Sequence, residues 1–267
     1  MLAQTQVDRV VPRFEAFVAR FPDFSALARA SVADVVREWK GLGYNSRAVR
    51  LRSLAQALVE SHDGVLPRET QELRALPGIG AYTAAAIRAF AYNFDDAPLD
   101  TNIRRIVHRL CFGVEYPGPA PLREVEDAAR NLAPRGRAHD WNSAMMDLGA
   151  ALCTARAPKC PICPLRADCI AAPIDGARLE LLRAEAVARR SPQNAIPFAM
   201  TTRFARGRIV DRLRDLPPGQ HISLLDLHRD VWPAMPTRTI EDVQDLVVAL
   251  ARDGIVTHDG NQIALRE

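Results

Sequence analysis

One stretch constrains the fold of this 267-residue chain more than any other, and it covers residues 76 to 102. It opens with Leu76 and the string LPGIGAYTAAAI, and it ends in PLDTN at Asn102. Proline cannot continue a helix, and two glycines around one apolar residue permit a tight turn and the close approach of another backbone. The residues from Tyr82 to Tyr92 then follow a helical pattern. The stretch predicts two helices joined by a short hairpin.

The beginning of the second helix is suited to binding a phosphate. The first backbone N–H groups of a helix have no partner within it, and together with the helix dipole they attract anions. Such a contact positions a protein on nucleic acid without selecting a sequence. The glycines alone are equally compatible with an ordinary turn between two helices, which is the commoner structure.

An aspartate follows the predicted second helix. Asp100 stands twenty positions after Gly80, directly before a helical pattern over residues 101 to 110. Its commonest role there is to cap that helix. The alternative is a catalytic carboxylate. The two roles are compatible, since a helix start lowers the pKa of a carboxyl group and keeps it ionised.

Composition excludes some classes of protein. Apolar residues make up 48% of the chain, enough for a substantial core, yet no uncharged stretch is long enough to span a bilayer. The first residues lack the basic and apolar regions of a signal peptide. We therefore expect a cytoplasmic protein that does not enter a membrane. The net charge of +3 argues only weakly for nucleic acid.

The remainder of the chain is mostly helical in pattern. Apolar residues follow helical spacing from Val7 onward, and Ser31 and Ser46 are candidate helix caps. Residues 173 to 196 form a partly helical linker. The tail from 197 to 267 combines three helices with a terminal hairpin, which predicts a small winged-helix-like domain. Its first helix has five arginines that either contact DNA or form a solvated face, the commoner case: Arg203, Arg206, Arg208, Arg212 and Arg214.

Four of the five cysteines lie within seventeen residues, in the pattern Cys153-x6-Cys160-x2-Cys163-x5-Cys169. Thiolates this close along the chain can surround one metal centre. Zinc and an iron–sulfur cluster both accept four cysteines at short spacings, so spacing alone does not separate them. The fifth, Cys111, follows an apolar helical pattern and is expected in the core.

Several motifs together, over residues 1 to 172, resemble the MutY-type adenine DNA glycosylases of the endonuclease III-like superfamily. The 6-2-5 cysteine spacing is similar to the 4Fe–4S loop of that superfamily, which favours the cluster over zinc for residues 153 to 169. The resemblance implies a mainly α, two-lobed helix-hairpin-helix fold. The motifs, in chain order, are MLAQTQV, GLGY, LPGIGAYTAAAI, LDTN, the run from Asn142 to Ala150 and the four cysteines.

The resemblance also implies roles for individual residues. Asp100 matches the aspartate that stabilises the oxocarbenium-like sugar. Asn102 matches an asparagine that supports this aspartate, and Tyr82 matches a position that lines the catalytic pocket. Other positions match residues that contact DNA. The hairpin, Pro77, Gly78, Ile79 and Gly80, binds the backbone, whereas Gln4, Leu42 and Tyr44 probe the base stack. Because a glycine-flanked loop holds Leu42 and Tyr44, we expect both side chains to be exposed.

Tyr82 separates two branches of the superfamily. The bifunctional endonuclease III type has a lysine here that attacks the sugar as an amine nucleophile. A phenol cannot do so, which predicts a monofunctional glycosylase. Related thymine-mismatch glycosylases also have a tyrosine at this position, so Tyr82 does not determine which base is removed.

Two departures from the family pattern affect these expectations. The family's proton-donating glutamate lies just upstream of the MLAQTQV stretch, so we expect impaired activity for the chain as numbered. The tail is also shorter than the C-terminal domain with which many members recognise 8-oxoguanine.

The predicted function is removal of adenine opposite 8-oxoguanine or guanine, by a monomer acting on double-stranded DNA with a mismatched or damaged base pair. One alternative is a thymine or uracil mismatch glycosylase, and another is a non-catalytic DNA-binding iron–sulfur protein.

Overall fold

The structure, a computed structural model, describes residues 1–2, 5–116, 121–189, 197–234 and 236–267. Within these ranges the first 189 residues form helices and connecting turns, as the sequence predicts. The helices are α1 (Val7–Arg20), α2 (Phe24–Arg29), α3 (Val32–Glu38), α4 (Ser46–Ser61), α5 (Thr70–Ala75), α6 (Ala81–Ala86), α7 (Thr101–Phe112), α8 (Leu122–Leu132), α9 (Ala138–Ala151) and α10 (Gly176–Arg189), with a 3-10 turn at Cys160–Ile162.

The C-terminal segment has the predicted winged arrangement of three helices and a small antiparallel sheet. Strand β3 lies between the other two strands, and pairs Ile222 with Ile263 on one side and Val256 with Leu265 on the other. The elements are α11 (Thr202–Arg214), β1 (Ile222–Ser223), α12 (Leu224–Val231), α13 (Ile240–Arg252), β2 (Val256–His258) and β3 (Gln262–Leu265), with 3-10 turns at Phe198–Met200 and Trp232–Ala234.

Packing divides the chain into two compact units. The first contains Met1–Pro67, Leu76–Gly78 and Gln193–Glu267, and the second contains Arg68–Ala75 and Ile79–Pro192. The C-terminal segment is thus packed with the N-terminal helices. Compact packing units need not coincide with the domains of a protein family. The predicted domain boundaries, 1–172, 173–196 and 197–267, therefore remain a prediction.

One apolar core joins the two ends of the chain within the first unit. Val35 and Val36 of α3 are fully buried in it, together with Ile209 of α11. Backbone bonds connect the same regions, because the amide of Ala33 donates to the carbonyl of Arg266 at 2.7 Å. The winged segment is therefore an integral part of this unit's core.

The core of the second unit is built on α7. Apolar residues at helical spacing, Ile103, Ile106 and Val107, face α8 and α9 and are almost completely buried. Met145 of α9 lies in the same cluster. Cys111 packs at its edge and is half-buried, and burial raises the pKa of its thiol. Helix α7 is thereby fixed along its length, and Asp100 directly precedes its first turn.

Three local features test the sequence predictions. Ser31 caps α3, since its Oγ accepts the amide of Asp34 at 3.0 Å. The expectation for Ser46 is wrong: α4 begins at Ser46 itself, and Asn45 precedes it without a side-chain cap bond. The helix predicted from Tyr82 to Tyr92 exists but changes character, because α6 passes into a π-helical segment at Ile87–Ala91. Such segments are rare and occur often near functional sites.

Candidate active site and metal centre

Asp100 is held in a fixed orientation at the start of α7. Its Oδ1 accepts the backbone amide of Ile103 at 2.6 Å, so the predicted helix cap is present. Its Oδ2 accepts a second bond, from Nδ2 of Asn102 at 3.1 Å. The carboxylate is half-buried and therefore remains accessible to a ligand.

Asn102 connects Asp100 to a buried arginine that the sequence analysis missed. The Oδ1 of Asn102 accepts a bond from Nη2 of Arg105 at 2.9 Å. Arg105 is only 7% exposed, and it also donates to the carbonyls of Gly149 at 2.7 Å and Cys153 at 2.8 Å. The guanidinium thus ties the predicted catalytic asparagine to α9 and to the first cysteine of the cysteine loop.

A second buried arginine lies one turn further along α7. Arg109 is 1% exposed and donates to the Sγ of Cys153 at 3.3 Å and to the carbonyls of Thr154 and Glu115, each at 2.8 Å. The sequence did contain a signal for both arginines. Arg105 and Arg109 are four residues apart and lie beside the apolar positions of α7, where a charge needs a partner.

Tyr82 lies in the first turn of α6 and is 44% exposed. Partial burial, with a smaller effect from the negative charge of Asp100, raises the pKa of the Tyr82 phenol. The side chain is therefore neutral at physiological pH. The effect of the Asp100 charge on this pKa is compatible with the prediction that the two residues belong to one site.

The hairpin between α5 and α6 has the backbone geometry that its glycines permit. Gly78 has a φ of +80°, and a Cβ at this position would lie 3.2 Å from the Cβ of Arg50. Gly80 precedes α6 without a side-chain cap, and Ile79 is only 8% exposed. The backbone amides, rather than the Ile79 side chain, are thus the groups available to a ligand.

The predicted base-probing residues differ in their exposure. Tyr44 is 38% exposed, as expected, with a φ of +48° that is uncommon for a residue other than glycine. Leu42 is 3% exposed and belongs to the core of the first unit, so the expectation that it is exposed is wrong. Its side chain packs inward because the bonds to its carbonyl from Thr5 and Arg47 hold the loop against the protein. Gln4 lies outside the described residues.

The four clustered cysteines line one cavity. Cys153, Cys160, Cys163 and Cys169 all contribute to its wall, next to Arg109. No disulfide involves them, and no three potential ligand side chains among the described residues are arranged to hold a metal ion. The donor set consists of thiols only, and the Arg109 bond to Cys153 can compensate the charge of a bound thiolate. These residues fit a thiolate-ligated group.

Comparison with known proteins assigns the chain to a family. The sequence-family model described as "HhH-GPD superfamily base excision DNA repair protein" matches residues 1–133. The adenine DNA glycosylase of Mycolicibacterium smegmatis is 40% identical over 262 residues, which cover 97% of this chain and 83% of that protein. The chain therefore belongs to the HhH-GPD superfamily of base excision DNA repair proteins and, within it, to the adenine DNA glycosylase family.

Solved structures agree with the fold. A thermostable thymine-DNA glycosylase aligns with a TM-score of 0.59 and 28% identity over 64% of this chain and 79% of that one. A trapped covalent complex of endonuclease III with DNA aligns with a TM-score of 0.55 and 24% identity over the same shares. The predicted mainly helical, helix-hairpin-helix fold is confirmed. No helix among the described residues is long and apolar enough to cross a membrane.

Proposed function

We propose that this chain is a monofunctional DNA glycosylase that removes adenine opposite 8-oxoguanine or guanine by hydrolysing the N-glycosidic bond. The observation that supports it best is the Asp100 carboxylate, held by the amide of Ile103 and by Asn102 within electrostatic reach of the Tyr82 phenol. Membership of the adenine DNA glycosylase family supports adenine as the base.

The chemistry requires an extruded nucleotide and a fixed negative charge. Extrusion of a base from the duplex costs a few kcal/mol. Breaking the glycosidic bond leaves positive charge on the sugar, which a preorganised carboxylate stabilises without reorientation. The bonds from Asn102 and Ile103 supply that preorganisation for Asp100. The leaving adenine also needs a proton, which an acidic group close to the base would supply.

The proposed DNA contacts comprise two groups of residues. The hairpin Pro77–Gly80 offers backbone amides to a phosphate, as the exposed start of α6 favours. Tyr44, together with Gln4 and Leu42, probes the base stack around the extruded nucleotide. Leu42 can take this role only after it leaves its buried position. The proposed partner is double-stranded DNA with a mismatched or damaged base pair, bound by a monomer.

We further propose that Cys153, Cys160, Cys163 and Cys169 hold a 4Fe–4S cluster. Their shared cavity and all-thiol chemistry support this assignment, and the cluster supplies structural cross-linking of the loop when bound. Metal analysis should find four irons for each chain. One zinc and no iron would contradict the proposal.

The function is tested by base release from duplexes with adenine opposite 8-oxoguanine or guanine, and with thymine or uracil opposite guanine. Asp100→Asn should lower the single-turnover rate by about 100- to 1,000-fold, by analogy with the loss of other transition-state charge partners. The matched control is Asp140→Asn, because this carboxylate lies on the surface in an ion pair with Arg137. Adenine release that Asp100→Asn leaves unchanged would refute the mechanism.

The same panel separates the alternatives. A thymine or uracil mismatch glycosylase is favoured by the Tyr82 phenol and by the 28% identity to a solved thymine-DNA glycosylase. Release of thymine or uracil without adenine would establish it. Preferential mismatch binding with no base released from any duplex would instead identify a non-catalytic DNA-binding protein.

A further inference from the structure

The loop that presents Tyr44 has its backbone held by hydrogen bonds, whereas the Tyr44 ring is partly exposed. The indole Nε1 of Trp39 donates to the carbonyl of Gly43 at 3.1 Å, and Nη2 of Arg47 donates to the carbonyl of Leu42 at 3.0 Å. Gly43 and Tyr44 both have positive φ, so two consecutive left-handed residues turn the ring away from the core. The orientation of the ring then depends on the groups that contact it.

The closest cationic group to that ring comes from the C-terminal segment. The Cζ of Arg203, on α11, lies 3.8 Å from the centre of the Tyr44 ring, whereas the Cζ of Arg47 lies at 5.6 Å. At such a short distance the guanidinium is stacked on the ring face. Arg203 is exposed and has no salt bridge within the part of the chain that the structure describes.

Helix α11 is itself anchored to the same loop. Arg214 is 9% exposed and donates to Oδ1 of Asn45 and to the carbonyl of Val36, at 2.7 and 2.9 Å. Arg203 and Arg214 are separated by eleven residues, about three helical turns, so both lie on one side of α11. That side of the helix therefore contacts the loop at two adjacent residues, Tyr44 and Asn45.

An open, basic cleft of about 540 Å³ lies beside the stacked pair. Its walls include Tyr44, Phe198, Phe204, Arg203 and Arg208. Arg208 is exposed, and no ion pair with another described residue neutralises it. Aromatic faces next to unpaired arginines suit the bases and phosphates of a DNA strand.

We propose that Arg203 is a positioning residue that holds the Tyr44 ring in the orientation from which it probes a base pair. The C-terminal segment thereby takes part in distinguishing mismatched from matched DNA. This proposal rests on the proposed function, because it assumes that Tyr44 meets the base stack. Arg208 only adds charge to the same surface and supports binding to any duplex.

The test measures the ratio of the dissociation constants for matched and mismatched duplexes in an Asp100→Asn background, in which turnover is slow. Arg203→Ala should reduce this ratio about two- to fivefold, the size of an exposed cation–π contact. For Arg203→Lys, which retains the charge, the ratio should lie between that of the parent protein and that of Arg203→Ala. The matched control, Arg208→Ala, should weaken binding to both duplexes equally and leave the ratio unchanged.

A double-mutant cycle shows whether the effect acts through Tyr44. In a Tyr44→Ala background, Arg203→Ala should change the ratio no further. If Arg203→Ala lowers the thermal stability, Arg203→Met, which keeps the aliphatic stem, replaces it in the cycle.

An effect that persists without Tyr44, or an Arg203 variant that behaves like Arg208→Ala, would overturn the proposal. A parent protein that shows no preference for mismatched DNA would instead refute the proposed function itself.

Discussion

At the scale of single residues, Asp100 combines an observed structural role with the chemical role that we propose for it. The bond that caps α7 uses one carboxylate oxygen, and Asn102 orients the other. A residue that a sequence pattern would assign to helix capping is therefore also preorganised to stabilise a positive charge. The Tyr82 phenol is neutral, because its pKa is raised, and unlike an amine it cannot form a Schiff base with a sugar.

We predict that Tyr82→Lys introduces strand cleavage at the abasic product. An amine at this position can form a Schiff base with the sugar, and borohydride should trap the adduct. Because the Asp100 charge favours the ammonium form, the yield should rise as the pH increases through the lysine pKa. Tyr82→Phe, the control, should give no adduct. Absence of an adduct for Tyr82→Lys at any pH would mean that the side chain does not face the sugar.

Arg105→Lys should lower the excision rate about tenfold or more while duplex binding changes little. One ammonium cannot replace the three bonds of the guanidinium to Asn102, Gly149 and Cys153. Each buried acceptor left unpaired costs about 1–3 kcal/mol. Single-turnover kinetics provide the measurement, with Arg130→Lys, in a surface ion pair, as the control. Equal rates for the two variants would show that Arg105 does not support the site.

At the scale of secondary structure, the close packing of α7 on α9 positions the site. Gly149 of α9 faces Asn102, and a Cβ at Gly149 would lie 2.7 Å from the Cβ of Asn102. No real contact is this short, so a side chain here must displace the asparagine. The glycine therefore sets the distance at which α9 supports Asp100 through Asn102.

We expect Gly149→Ala to reduce excision by up to about 100-fold, the cost of a misplacement near 1 Å. The free energy of unfolding should fall by about 1–3 kcal/mol because the core is overpacked. Gly207→Ala is the matched control, since a Cβ in that helix meets nothing within 4 Å. It should be neutral or slightly stabilising. Kinetics and thermal unfolding test both variants, and an active Gly149→Ala protein would contradict the prediction.

At the scale of the whole molecule, the winged segment shares a core with the N-terminal helices. The arginines of α11 illustrate this. The interpretation of all five as a solvated face is wrong for Arg214, which is buried against Val36 and Asn45. Arg206 and Arg212 form ion pairs with Asp253 and Asp230. The segment should therefore unfold together with α3.

Leu213→Ala should destabilise the first unit by about 2–5 kcal/mol, because this side chain is 1% exposed in the shared core. The control, Leu225→Ala, changes a leucine that is 64% exposed and should have an effect below about 0.5 kcal/mol. Hydrogen exchange should show reduced protection in α3 as well as in α11 for Leu213→Ala. Loss of protection confined to residues 197–267 would mean that the segment folds independently.

The sequence by itself determined the features that depend on neighbouring residues. The hairpin at Gly78, the caps at Ser31 and Asp100 and most helix limits follow from bonds that span about three residues or from the φ angles that glycine permits. The cysteine spacing likewise predicted that the four cysteines lie together, and they line one cavity. Near neighbours in sequence are always near in space, so their chemistry is visible in the pattern.

Only the tertiary structure decided the features that depend on distant partners. The bond from Arg214 to Asn45 joins residues that are 169 positions apart, and that from Arg105 to Cys153 spans 48. The burial of Leu42 and the stacking of Arg203 on Tyr44 depend on such contacts as well. Whether a side chain is buried, paired or free depends on which remote segment packs against it, and local patterns do not contain that information.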